Sequence, residues 1–157
     1  RHPRSLLVSW ARRCVEETVI LSHNKRPRNS DPLDPSTGQA DGTNPLCGDK
    51  LTVHVRNTES LLEAVSCDTD GCAISRASGS IMTTMVEGKL ITEVERLIEE
   101  TKLLLTGEDE PEVDLVQQGD MAALIGVRKF PARIKCATLA WHALEAALRG
   151  NDEASTE

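Results

Sequence analysis

Three cysteines and one aspartate hold the residue types and spacing that bind soft metal ions. Cys47 and Asp49 flank Gly48, a turn in which glycine's conformational freedom lets a soft thiolate and a hard carboxylate aim at one ion. Cys72 and Cys136 lie far along the chain, each near the expected start of a helix, where unpaired N–H groups and the helix dipole favour a thiolate. Three thiolates and one carboxylate form a four-coordinate set suited to Zn²⁺, with Zn–S distances of about 2.3 Å. Such a centre carries a formal charge of about −2 once Zn²⁺ is counted. Arg133, three residues before Cys136 on the same helix face, is placed to offset it. The spacing has no C-x-x-C pair, so from the residues alone a metal site and cysteines that never meet both stand open.

The elements that must position these residues can be read from periodicity. Ser5 caps a first helix running to about Leu21, with Leu7, Trp10, Cys14 and Leu21 along one stripe. Pro27 to Pro45 reads as a loop, with an early strand inside it that the pattern does not locate. Leu51, Val53 and Val55 alternate with polar residues as a half-buried strand, and Leu61, Glu63, Val65 and Cys67 suggest an antiparallel partner. Asp68 to Gly71 reads as a turn. A helix over about Ala73 to Glu87 faces inward through Ile74, Ala77, Ile81 and Met85, with Gly88 as its C′ residue.

Thr92-Glu93-Val94-Glu95 is a capping-box pattern opening a third helix that ends near Gly107 and faces inward through Val94, Leu97, Ile98 and Leu105. Glu108 to Asp114 reads as an acidic loop, and Asp120 as the cap of a short helix over Met121 to Ile125. Pro131 starts a last helix with Ala137, Ala140, Trp141, Leu144 and Leu148 as its buried stripe; Gly150 ends it and a frayed polar tail follows. The expected fold is α+β, a small antiparallel β-sheet packed against several helices, in one domain spanning 1–157 with an ordered core of about 5–150.

Composition narrows the function classes. A length of 157 residues with 39% hydrophobic residues supports a core without disulfide staples. A net charge of −7 argues against nucleic acid as a partner. No apolar run reaches the length of a membrane span, and no stretch resembles a secretory signal. Five cysteines in a chain of this size point to a reducing, cytoplasmic setting in which thiols bind metal or do chemistry. Basic residues gather at Arg1, Arg4, Arg12 and Arg13 and at Lys25-Arg26-Pro27-Arg28, which read as solvated surface.

Asn44-Pro45-Leu46-Cys47-Gly48-Asp49, Gly71-Cys72-Ala73-Ile74-Ser75 and the Cys136 that opens the last helix together resemble the NifU/IscU family, whose patterns are N-P-x-C-G-D, G-C-x-I-S and a third cysteine there. The resemblance runs from roughly residue 14 to 148 and includes Pro27-Arg28-Asn29, Gly88-Lys89 and Ala137-Thr138-Leu139-Ala140-Trp141. Scaffold-type members carry histidine before the third cysteine, where this chain has Lys135. A protonated lysine has no lone pair to offer, so the resemblance implies Cys47, Asp49, Cys72 and Cys136 as the ligands. Arg133-x-Lys135-Cys136 and the long segment between Gly88-Lys89 and Gly119-Asp120 are similar to the SufU branch.

That branch implies a zinc-dependent sulfur acceptor for a SufS-type, pyridoxal phosphate-dependent cysteine desulfurase, feeding downstream iron–sulfur assembly proteins. A histidine of the desulfurase is then expected to displace one cysteine, and Cys47 matches the freed acceptor. The alternative is a scaffold holding an iron–sulfur cluster, and a weaker one is a binding module with structural zinc. Where the family commonly reads D-H-Y, this chain has Ser22-His23-Asn24; His23 reads as structural. Cys14 reads as core, and Cys67 as core or, less simply, as a thiol relaying sulfur from Cys72. His54 and His142 carry no motif.

Overall fold

The computed structural model describes residues 17–107 and 119–155. The expected inner stripe at Leu7, Trp10 and Cys14 and the acidic loop at 108–114 lie outside these residues. Helix α1 covers 17–25. It turns Val19 and Ile20 toward the core and buries His23, while Leu21, expected on the inner stripe, is 51% exposed. The helix is rotated because His23 is pinned: Nδ1 lies 2.7 Å from Ser80 Oγ and Nε2 2.8 Å from Asp120 Oδ2.

Four strands form one sheet in the order β3-β2-β1-β4. Strand β1, Gly38–Asn44, is the early strand that periodicity left unlocated inside the Pro-rich stretch. It forms an antiparallel hairpin with β2, Asp49–Asn57, in a register that ends on the pair Asn44↔Asp49. Strand β3, Leu62–Asp70, pairs antiparallel with β2 and extends through the expected turn at Asp68–Asp70. A bulge between Arg56 and Asn57 shifts the register, so Leu62 is buried and Glu63 faces solvent. Val65 and Cys67 point inward as expected. Strand β4, Glu153–Ser155, runs parallel to β1 and replaces the frayed tail, making the sheet mixed.

The helices pack on one face of the sheet. Helix α2, Ala73–Val86, ends at Gly88 with φ +79°, as expected for a C′ residue. Helix α3, Ile91–Thr106, begins one residue before Thr92; Leu90 is its N-cap and makes no side-chain cap, so the capping-box reading is corrected. Val94, Ile98 and Leu105 are buried as expected, with Thr101 beside them. Gly119–Lys129 forms a 3₁₀ helix, longer than the short helix expected at 121–125.

Helix α4, Pro131–Leu148, is the central element. It touches α2, α3, β1, β2, β4 and the 3₁₀ helix. Ten of its residues are buried, a broader face than one stripe, because it is covered on several sides. Alanine at 137, 140, 143, 146 and 147 allows that close approach. Opposite it, a Cβ on Gly42 would come within 3.0 Å of Leu51 Cδ1 and 3.2 Å of Leu139 Cδ1, so the bare position 42 leaves room for the leucines between β1 and α4.

Candidate metal centre

Three elements bring the chemistry-bearing residues to one end of the sheet. The β1–β2 hairpin turns through residues 45–48, closed by Gly48 N–H donating to the Asn44 carbonyl at 2.8 Å, with Gly48 at φ +72°. This turn exposes Cys47 and leaves Asp49 buried as the first residue of β2. Cys72 is the N-cap of α2, and its sulfur accepts from Ser75 N–H at 3.5 Å. Cys136 is buried, six residues into α4 counting from Pro131, so the expected placement among the free N–H groups at the helix start holds for Cys72 and not for Cys136.

The ligand atoms of Cys47, Asp49 and Cys136 all lie within 4.8 Å of one another. The Cys47 and Cys136 sulfurs are 3.3 Å apart. Cys72 joins through Asp49: its backbone N–H donates to Oδ1 at 2.9 Å, and its thiol faces Oδ2 at 3.6 Å. The carboxylate fits only because residue 71 is glycine. A Cβ at Gly71 would stand 2.5 Å from Asp49 Oδ1.

Electrostatics couples the members of this cluster. Burial pushes the Cys136 thiol well above its ordinary range, and its hydrogen-bonded neighbours Asp49, Cys47 and Cys72 push it further. Charge attraction to Cys72, and then to Cys136, raises the guanidinium of Arg133. Arg133 is exposed and hydrogen-bonds Cys72, so the side chain chosen for its helix face does reach the cluster. Lys135, adjoining Cys136, is half-buried. Three thiols and a carboxylate crowded at hydrogen-bond distance form a soft, anionic donor set of the kind that suits Zn²⁺, and the cradle at Gly71 supports the same fit.

Among the described residues, Cys67 and the histidines fall outside the cluster. Cys67 is buried on β3 with its sulfur 3.5 Å from Thr69 Oγ1, in the packed interior under Gly79. His23 is held by Ser80 and Asp120, a structural role. The Pro27-Arg28-Asn29 segment is also structural: Arg28 N–H donates to Ser80 Oγ and the Asn29 carbonyl accepts from Cys67 N–H.

One residue of the site carried no assignment in the sequence reading. Asn44 is 1% exposed and its Nδ2 donates to Cys136 Sγ at 3.4 Å. The signal was present in the hairpin logic, because the residues flanking a four-residue turn face each other, which sets Asn44 opposite Asp49.

The pattern that the NifU-like N-terminal domain defines matches residues 15–137. The chain belongs to the NifU-like family. Among its relatives is the zinc-dependent sulfurtransferase SufU of Bacillus subtilis, 40% identical over 130 residues that cover 81% of this chain and 84% of the relative. The iron–sulfur cluster assembly scaffold protein IscU of Streptococcus pyogenes is 37% identical, over 83% of this chain and 80% of that one. The crystal structure of an iron–sulfur cluster assembly scaffold protein for the SUF system from Fervidobacterium islandicum superposes with a TM-score of 0.74 at 27% identity, covering 83% of this chain and 93% of that one. No helix among the described residues is long and apolar enough to cross a membrane.

Proposed function

We propose that this NifU-like protein serves iron–sulfur cluster assembly as a zinc-dependent sulfur acceptor, taking sulfane sulfur from a SufS-type cysteine desulfurase. The observation that carries this reading is the pairing of an exposed thiol, Cys47, with the buried sulfur of Cys136 at 3.3 Å, beside Asp49 and Cys72. The 40% identity to a zinc-dependent sulfurtransferase supports it.

Cys47, Asp49, Cys72 and Cys136 would hold the metal. When bound, a zinc ion supplies Lewis acidity that keeps the thiols ionised at neutral pH. Cys47 sits on a turn, where the backbone can move outward, whereas Cys72 and Cys136 are anchored by helices. Its thiolate attacks the outer sulfur of the partner's persulfide. A new S–S bond forms on Cys47 as the partner's S–S bond breaks, and the partner leaves as a thiolate. Arg133 offsets the negative charge that an incoming persulfide adds. An open groove of about 970 Å³, lined by Cys72, Ile74, Phe130 and Arg133, borders the cluster and gives a docking partner room to approach. The groove's exposed edge carries Phe130, 62% accessible.

The test is to incubate the zinc-loaded protein with its desulfurase and cysteine and to locate the added sulfur by peptide mass spectrometry. Sulfur on Cys47, lost in Cys47→Ser, is expected; sulfur carried normally by Cys47→Ser overturns the assignment. The second reading, a cluster scaffold, has the support of the 37% identity to IscU. Elemental analysis separates the two: one zinc per chain in a colourless protein fits the acceptor, and native iron with sulfide fits the scaffold.

A further inference from the structure

Two neighbouring sulfurs of the centre, those of Cys47 and Cys136, pose a chemical hazard for a sulfur carrier. With the Cys136 sulfur 3.3 Å from that of Cys47, anything bound through sulfur to Cys47 has a second thiolate within attacking reach. Burial is no protection here, because the nucleophile is already inside. If Cys47 carries a persulfide, the Cys136 thiolate can attack its inner sulfur. The Cys47–Cys136 bond then forms, the S–SH bond breaks, and hydrosulfide leaves with the electron pair. The cargo is lost and the site is closed as a disulfide.

We infer that Asn44 is the residue that suppresses this reaction, by holding an amide N–H on the Cys136 sulfur. The orientation of its side chain follows from its second contact. Asn44 Oδ1 accepts the Leu46 backbone N–H at 3.3 Å, and only an oxygen can take that bond, so Nδ2 is the atom facing Cys136 Sγ at 3.4 Å. An N–H···S bond withdraws charge from the thiolate and must be weakened before the sulfur can attack. Asn44 is 1% exposed, so water does not substitute for that donor. The same side chain fixes the start of the turn that carries Cys47 through Leu46 N–H. Asn44 is therefore a positioning residue with two functions: it sets where the acceptor thiol stands and quiets the thiol next to it.

This inference deepens the sulfur-acceptor reading and rests on it, but its test needs no desulfurase and so fails or succeeds separately. Zinc-loaded protein is treated with an aromatic disulfide such as 5,5′-dithiobis(2-nitrobenzoate). Cys47 thiolate takes one arylthio group and releases one coloured thiolate. Attack by Cys136 on that mixed disulfide releases the second thiolate and closes the Cys47–Cys136 bond, which peptide mapping identifies. Two variants separate the amide from the turn contact. Asn44→Ser keeps an oxygen able to accept Leu46 N–H but is too short to reach Cys136. Asn44→Asp keeps the shape and the acceptor and replaces the N–H by oxygen.

In wild type the second release is slow. Relative to the first release it is expected to accelerate about tenfold in both variants, the scale of one lost hydrogen bond to a charged sulfur, with the disulfide that it forms mapping to Cys47–Cys136. A second phase that stays at the wild-type rate in whichever variant folds and retains zinc overturns the inference. So does an accelerated phase whose product maps to a disulfide other than Cys47–Cys136.

Discussion

Cys67 and Cys136 are both buried cysteines, 3% and 0% exposed, and burial raises both thiols. The difference between them is their neighbours. Cys67 stands on a strand against Gly79 and Thr69, with one weak hydroxyl contact. Cys136 has Asn44, Cys47 and Asp49 around its sulfur. Burial in apolar surroundings makes an inert thiol, whereas burial among other acids makes a group that is comfortable only with a cation nearby. Depth inside the protein thus says little about a cysteine's role until its second neighbours are known.

The comparison breaks most visibly on metal content. Cys136→Ala is expected to lose zinc, a change on the order of several kcal/mol in metal binding, and Cys67→Ala to keep one equivalent, both read by elemental analysis and chelator competition. Equal zinc content in the two variants would erase the distinction drawn here.

Alkaline stability sharpens it next. The Cys67 thiol is held up to about 11 against an ordinary 9.0. Its contribution is fully present below pH 9.0 and is lost as pH rises toward about 11, because the unfolded thiol ionises first. Stability of wild type minus that of Cys67→Ala should therefore fall by up to about 3 kcal/mol across that window. Denaturant melts at fixed pH values on zinc-loaded protein measure it. A flat difference contradicts a buried, neutral Cys67.

The carboxylate side of the centre comes third. Gly71→Ala places a methyl against Asp49 and should weaken zinc retention by about 1–3 kcal/mol through displaced ligand geometry, seen as faster loss to a chelator at unchanged fold. The smallest effect lies at Cys67. Gly79→Ala would put a Cβ 2.8 Å from its sulfur. The cost should be about 1 kcal/mol and should shrink when Cys67→Ala is added, a coupling that a double-mutant cycle reads from thermal or denaturant unfolding.

Parts of the candidate centre were legible as short, local signatures. Cys47 and Asp49 declare themselves by a shared glycine turn, and Cys72 by the helix that follows it. Cys136 was found through the family motif, yet its setting was misjudged, since Pro131 starts the helix a turn and a half too early for the free N–H groups to reach it. The strands tell the same story. Leu51, Val53 and Val55 alternate cleanly and β2 was readable, while β1 has Ala40 as its one sizeable inward apolar residue, with Gly42 and Asn44 beside it. Its place in the sheet depends on how closely α4 approaches, a tertiary demand that local pattern does not encode. The hairpin sets Asn44 opposite Asp49, but its contact with Cys136, 92 residues away, is not encoded locally. The rotation of α1 that turned Leu21 outward likewise depends on Ser80 and Asp120, both distant in the chain.

Strand β4 gives the chain's last described residues a protective duty. An outermost strand offers a row of unpaired amides and carbonyls that any other extended chain can adopt. Glu153–Ser155 occupy that row along Asp41–Thr43, with Asp152 accepting the Asp41 N–H at 2.8 Å. The strand so covered is the one that leads directly into the Cys47 turn. The backbone leading into that turn is thereby closed to strangers, and these few residues work as a selvedge on the strand they cover.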